Sequence, residues 1–223
     1  MNERGGSMDL EETRDRIVLA TLPHVAFEGW SDRALRAGLA DAGLTPEQGA
    51  LAFPGGALEM IEHWTRYGDR RMLEVMQGLD AEAMRVRERI AAAVRLRIEV
   101  NVPYREAVRR TMSFLALPPN TPLAIKSTWR TVDAIWYACG DTSTDLSFYS
   151  KRATLAAVYG ATVLYWLDDS SDKFAGTWAF LDRRISDVMR IPKARRRAEE
   201  ALSAIFRPLP ILHRRTGGNR GHA

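Results

Sequence analysis

Cysteine, histidine and long apolar runs are all scarce in this sequence, and each scarcity removes a class of function. The one cysteine, Cys139, excludes an intrachain disulfide and any CxxC metal or redox motif, and fits a reducing compartment. The four histidines, His24, His63, His213 and His222, are scattered. None follows a glutamate by three residues, so the Glu-x-x-His pattern of di-iron helical bundles is missing. HExxH, GxGxxG, GxSxG and P-loop motifs are missing too. No stretch approaches the roughly 20 apolar residues that span a bilayer, and the opening MNERGGSMDLEE has no apolar signal core. The expectation is a cytosolic protein with no cofactor, no metal and no catalytic constellation.

What is present suits a globular chain. Its 223 residues can form one large domain or two small ones around a real core. Hydrophobic residues at 46% and charged residues at 27% are ordinary values. The net charge of +4 is unevenly placed: Arg190 to Arg215 carries eight basic residues against Glu199 and Glu200, a net of +6. Arg220 adds one more, which leaves residues 1–189 at −3.

Helical periodicity dominates and no run alternates like a half-buried strand, so the expected class is all-α with about ten helices. Residues 1–8 read as a disordered lead-in, and a first helix over about 10–28 gathers Ile17, Val18, Leu22 and Val25 on one face. Ser31 caps a second helix ending at Gly43, and Thr45-Pro46-Glu47-Gln48 is a capping box that opens a third. After Pro54-Gly55-Gly56 a long fourth helix reaches about Gln77, with Leu58, Ile61, Trp64, Met72, Val75, Met76 and Leu79 as its stripe and Gly68-Asp69 as a kink. A fifth, about 81–100, buries Val86, Ile90, Ala93, Val94 and Ile98, and turns Arg85, Arg87, Arg89, Arg95 and Arg97 to solvent. Pro103 starts the sixth and Thr121-Pro122 the seventh, which ends near Cys139. Thr144 or Asp145 caps the eighth, the ninth covers about 172–190, and the tenth about 193–207.

Three short helices followed by longer ones is the layout of a TetR-type regulator, whose third helix enters the DNA major groove. Phosphate contacts from Lys and Arg supply most of such affinity. Here Ala37–Thr65 holds no Lys or Arg, only Asp41, Glu47, Glu59 and Glu62, a net of −4. No nucleic-acid partner is expected. Glu62 and His63 point two ways around their helix and make a poor acid–base pair. Asp168, Asp169 and Asp172 read as one helix end and the capped start of the next, since an EF-hand needs a longer alternating loop.

The most distinctive stretch runs Ile135-Trp136-Tyr137-Ala138-Cys139-Gly140-Asp141-Thr142-Ser143-Thr144-Asp145, then Leu146-Ser147-Phe148-Tyr149-Ser150-Lys151-Arg152. Asp169-Ser170-Ser171 and Thr177-Trp178-Ala179-Phe180-Leu181 follow. This resembles the coenzyme Q protein nine family, most specifically over about 130–190 and more loosely over 12–207, where Phe53-Pro54-Gly55-Gly56 is a further landmark. The resemblance implies a TetR-like fold that has lost DNA binding and holds isoprenoid lipid. It also implies a role beside the di-iron hydroxylase that acts on demethoxyubiquinone, to which the quinone intermediate is presented. The implied partner-binding patch is Trp136, Tyr137, Asp141 and Arg152. The long N-terminal targeting extension of mitochondrial members is missing here, which suits a bacterial protein on the inner face of the cytoplasmic membrane. From the residues alone, a Trp-Tyr pair at a helix end is either core or interface, and Trp, Tyr and Arg are types enriched at binding hot spots.

A lipid pocket is expected among helices four to nine, which are rich in Met and Trp; Met72, Met76, Met112, Trp129 and Trp166 are the candidates, with core packing as the alternative for each. The tenth helix is basic and amphipathic. Arg195, Arg196, Leu202, Ile205, Phe206 and, past Pro208, Leu209 are the candidate membrane contacts; docking on its own domain or a twin subunit is the alternative. The expected layout is a degenerate three-helix unit at 9–53, a lipid-binding domain at 54–192, a membrane-binding helix at 193–212 and a disordered tail at 213–223. A homodimer is left open. The competing functions are a true TetR-type repressor with a small-molecule pocket, and an enzyme built on Asp141 and Asp145.

Overall fold

The computed structural model describes residues 3–80, 83–144 and 146–188, and among them there is no strand. Two units divide the chain, Met1–Ile185 and Ser186–Ala223. The expected membrane contacts Arg195, Arg196, Leu202, Ile205, Phe206 and Leu209 all lie outside the described residues.

Local sequence rules set most boundaries. Helix α1 (Glu3–Glu28) starts earlier than the expected lead-in allows; once a helix is nucleated, each added residue needs only one more hydrogen bond, so extension is easy. Ser31 caps α2 (Asp32–Asp41) by accepting from the Ala34 N–H at 3.2 Å. At α3 (Pro46–Ala52) the box closes both ways: the Gln48 N–H donates to Thr45 Oγ1, and the Thr45 N–H donates to Gln48 Oε1 at 2.9 Å. The starts of both helices are thus set by residues within four positions.

Packing then orders the longer helices. Helix α4 (Gly56–Gln77) is continuous through Gly68, without the expected kink, and buries Met60, Ile61, Trp64, Met72 and Met76. Leu58, Val75 and Leu79, expected in its stripe, are exposed; they lie in the first turn, the last turn and just beyond. Helix α5 (Val86–Glu99) buries Ile90, Ala93, Val94 and Ile98, and leaves Val86 exposed. A 3-10 turn at Val102–Tyr104 precedes α6 (Arg105–Leu115), and another at Pro118–Asn120 precedes α7 (Thr121–Ala138). Helix α8 (Leu146–Asp168) follows; of the two residues expected to cap it, Asp145 lies outside the described set.

The last described helix, α9 (175–188), begins later than expected because Lys173 and Phe174 take left-handed backbone angles of 49° and 58° in φ. The Phe174 ring is held against Trp166 and under the Arg105 guanidinium, which offsets that strain. Asp169 then serves as the cap expected of this acidic run. Its carboxylate accepts from the Ser171 and Thr177 N–H groups, both at 2.8 Å, and from the Thr177 hydroxyl at 2.6 Å. Those bonds hold the carboxyl well below the usual carboxylate range.

Helix α1 lies against α2, α4 and α6, and α4 against α5 and α7. Ile17, Leu22 and Val25 of α1 are fully buried, each contributing about 1.5–3 kcal/mol of transfer free energy. Glycine 38 permits the close approach of α2: a Cβ there would sit 2.6 Å from the Thr21 backbone.

Candidate functional site

A partly open cavity of about 460 Å³ lies between α4, α5, α6, α7 and α8. Its apolar wall comes from Val108, Met112, Leu115, Ala116, Ala124 and Val163. Trp64, Arg97, Asn101, Ser127, Thr131 and Tyr159 form a more polar side. Of the five lipid candidates, only Met112 lines it. Met72, Met76 and Trp166 are buried elsewhere in the core, and Trp129 packs 6.3 Å from the Tyr149 ring. Core packing describes the surroundings of Met72, Met76 and Trp166, whereas Trp129 is half-buried.

The residue that shapes the polar side is Arg97, which sequence periodicity assigned to a solvated face. It is 4% exposed. Its Nε donates to Asp69 Oδ1 at 2.8 Å and its Nη2 to the Thr65 carbonyl oxygen at 3.2 Å. Asp69 Oδ1 also accepts from the Thr131 hydroxyl at 2.8 Å, and Oδ2 from Arg130 Nε at 3.3 Å. A buried charge needs such partners, because removing it from water costs several kcal/mol. Gly68 is the slot that admits the guanidinium: a Cβ there would lie 2.6 Å from Arg97 Cζ. The sequence carried a signal for this, a glycine beside an aspartate in a helix interior.

The second feature is the turn after α7. Asp141 N–H donates to the Trp136 carbonyl oxygen and Gly140 N–H to that of Tyr137, both at 3.0 Å, with Gly140 at φ +78°. That is a Schellman cap, and the left-handed position is why a glycine stands there. It throws Asp141 back toward α8. Asp141 Oδ1 accepts from Lys151 Nζ at 2.7 Å and from the Ser143 hydroxyl at 2.6 Å, and Oδ2 accepts from Arg152 Nη1 at 3.2 Å. Burial would raise this carboxyl, but the bonds from Lys151, Ser143 and Arg152 outweigh it and hold it down to about 2.

Arg152, 4% exposed, also donates from Nε to Asp133 Oδ1 at 2.6 Å and stacks on Phe148 with its Cζ 3.4 Å from the ring centroid. Trp136 is half-buried, with Lys151 Nζ 5.4 Å over its ring. Only Tyr137 of the four expected patch residues is well exposed, at 78%; Tyr149, in the first turn of α8, is also exposed. Arg152 and Asp141 therefore hold the turn, and Tyr137 is the side chain free to touch something. Cys139, buried under this turn, has its thiol pushed up to about 11 by burial, which makes it a poor nucleophile.

The histidines and acids of the N-terminal part are tied up structurally. Glu62 and His63 do point two ways: Glu62 pairs with Lys126 at 2.9 Å, while His63 Nε2 lies 2.7 Å from Asp15 Oδ1. Glu11, Asp15 and His63 bring metal-type ligand atoms within 4.8 Å of one another. Arg70 donates to both of those carboxylates, so a guanidinium already supplies the positive charge. The −4 segment is not one face either, because Glu59 is paired with Arg14 and Glu62 with Arg130 and Lys126. Helix α3, the would-be reading helix, has Glu47 and no basic residue.

No helix among the described residues is long and apolar enough to cross a membrane.

The fold is similar to that of a TetR transcriptional regulator from Nitrosomonas europaea, with a TM-score of 0.65 at 23% identity, covering 78% of this chain and 95% of that one. Residues 121–192 match the COQ9 family model. Within the described residues this span holds α7, the Gly140 turn, α8 and all of α9. The mitochondrial ubiquinone biosynthesis protein COQ9 of Rattus norvegicus is 32% identical over 89% of this chain, and that of Homo sapiens 31% over 89%. The chain spans 66% and 64% of the length of those two relatives. It spans 70% of the COQ9-B protein of Xenopus laevis, at 30% identity. With an all-α fold of TetR type and this extent of sequence identity, the chain belongs to the COQ9 family of ubiquinone biosynthesis proteins.

Proposed function

We propose that the chain is a non-catalytic accessory protein of ubiquinone biosynthesis. It holds an isoprenoid quinone intermediate in the α4–α8 cavity and presents it to a di-iron demethoxyubiquinone hydroxylase. The observation that carries this reading is the cavity itself, whose volume of about 460 Å³ and largely apolar wall suit a lipid-like molecule. The exposed Tyr137, with Trp136 beside it on a turn fixed by Asp141 and Arg152, is the docking surface in this proposal. The 193–212 segment, outside the described residues, rests on the inner face of the cytoplasmic membrane through Arg195, Arg196 and Phe206, and a second copy of the chain is compatible with it.

Native mass spectrometry of the purified protein tests the cargo: a co-purified isoprenoid quinone is expected, and an interior free of lipid with tight operator binding would overturn the proposal. Trp136→Lys is expected to abolish co-purification with the hydroxylase while leaving the circular dichroism spectrum unchanged. A TetR-type regulator is the second reading, favoured by the similarity of fold to such a protein. It predicts salt-sensitive, sequence-specific gel shifts, which the absence of basic residues from α3 argues against.

A further inference from the structure

The polar side of the cavity has more donors than the protein can use. Arg97 Nη1, Ser127 Oγ and Trp64 Nε1 are all buried and have no hydrogen-bond partner among the described residues. All three residues line the cavity, and Arg97 and Ser127 are only 4% and 5% exposed. Leaving one such group unsatisfied is costly, more so for a charged one. The other two nitrogens of the Arg97 guanidinium are already committed, to Asp69 and to the Thr65 carbonyl.

Resting on the lipid-cavity reading above, we infer that the cavity's occupant carries a neutral oxygen acceptor, a ring carbonyl or ether oxygen, that is bound by Arg97 and Ser127. A plain hydrocarbon chain would leave these donors without partners. An anionic head would put a second negative charge beside Asp69, whose carboxylate lies 2.8 Å from Arg97 and 3.3 Å from Arg130, and would also lose its hydration in a largely apolar cavity. A neutral acceptor supplies the lone pairs without that repulsion. The site is therefore selective for an oxygenated ring rather than for apolar bulk, and Ser127 is a specificity determinant that periodicity gave no reason to single out.

The test is equilibrium dialysis of the full chain against three probes of one shape: durene, duroquinone and 2,3,5,6-tetramethylbenzoate. Their substituted rings do not add readily to the Cys139 thiol. Duroquinone is expected to bind about tenfold more tightly than durene, a difference of about 1.4 kcal/mol, and the benzoate is expected to bind more weakly than duroquinone because its carboxylate must be desolvated beside Asp69. Ser127→Ala should weaken duroquinone about threefold or more and leave durene unchanged, while Arg97→Lys should remove most of the preference. If Arg97→Lys does not fold, Ser127→Ala still decides. Equal binding of durene and duroquinone would overturn this inference while leaving the apolar cavity standing. Tightest binding of the benzoate would overturn it in favour of an anionic head. If none of the three binds, nor a benzoquinone with a ten-carbon tail, the cavity reading falls with it.

Discussion

Gly68→Ala provides a sharp test of the Arg97 slot, because two known effects oppose each other there. Alanine favours a helix interior over glycine by about 1 kcal/mol, so a glycine kept only by chance should be improved by the change. In this structure the new Cβ would lie 2.6 Å from both Cζ and Nη1 of Arg97. Those atoms are not the free end of a mobile side chain, since Asp69 and the Thr65 carbonyl hold the guanidinium. Overpacking of this kind costs about 1–3 kcal/mol, and loss of a buried ion pair about 3–5 kcal/mol. With Arg130 and Thr131 still bonded to Asp69, partial loss is the reasonable measure, and a net destabilisation of about 2 kcal/mol is expected after the helix gain is subtracted. Gly160→Ala is the control: it is also helical, with nothing within 4 Å of the added Cβ. It should stabilise by about 0.5–1 kcal/mol. Urea unfolding followed by tryptophan fluorescence reads both, and at a slope near 2 kcal/mol/M the Gly68→Ala midpoint should fall by about 1 M. A Gly68→Ala protein as stable as the parent would refute the account of Arg97, and with it the basis for placing Arg97 in the cavity.

The Asp141 carboxyl, held down to about 2, stabilises the fold fully above its ordinary value near 4 and loses that contribution as pH falls toward 2; the effect is about 2 kcal/mol. Asp141→Asn should remove that acid-dependent component from thermal melts, and an unchanged acid profile would refute it. Arg152→Lys is expected to destabilise by about 1–3 kcal/mol, because a lysine cannot bond Asp133, Asp141 and the Phe148 carbonyl together. Tyr137→Ala, at an exposed position, should change stability by less than about 0.5 kcal/mol yet lower hydroxylase capture; a destabilised Tyr137 variant would contradict the docking role. Alkylation of Cys139 at pH 8 should be at least about 100-fold slower in the folded protein than in urea, given burial and a thiol pushed up to about 11. Rapid stoichiometric labelling of the folded chain would show the turn to be open.

By itself the sequence determined those features whose causes act within a few residues. The caps at Ser31 and Thr45, the proline-led start of α7 and the Gly140 stop at its end are set by backbone donors and carbonyls that nearby side chains or a left-handed glycine satisfy. Apolar periodicity likewise identified Ile17, Leu22 and Val25, and the run from Trp136 to Arg152 carried the family resemblance. Tertiary structure alone decided which polar side chains go inside. Arg97 and the solvent-facing Arg95 belong to the same helix, and only the approach of α4 at Gly68 separates their fates. The cavity, too, exists where five helices diverge, so Met112 lines it while Met72 and Met76 are packed away. Helix ends are local hydrogen-bond problems; burial of a charge and the shape of a void depend on crossing angles between segments distant in the chain, which no window of sequence contains.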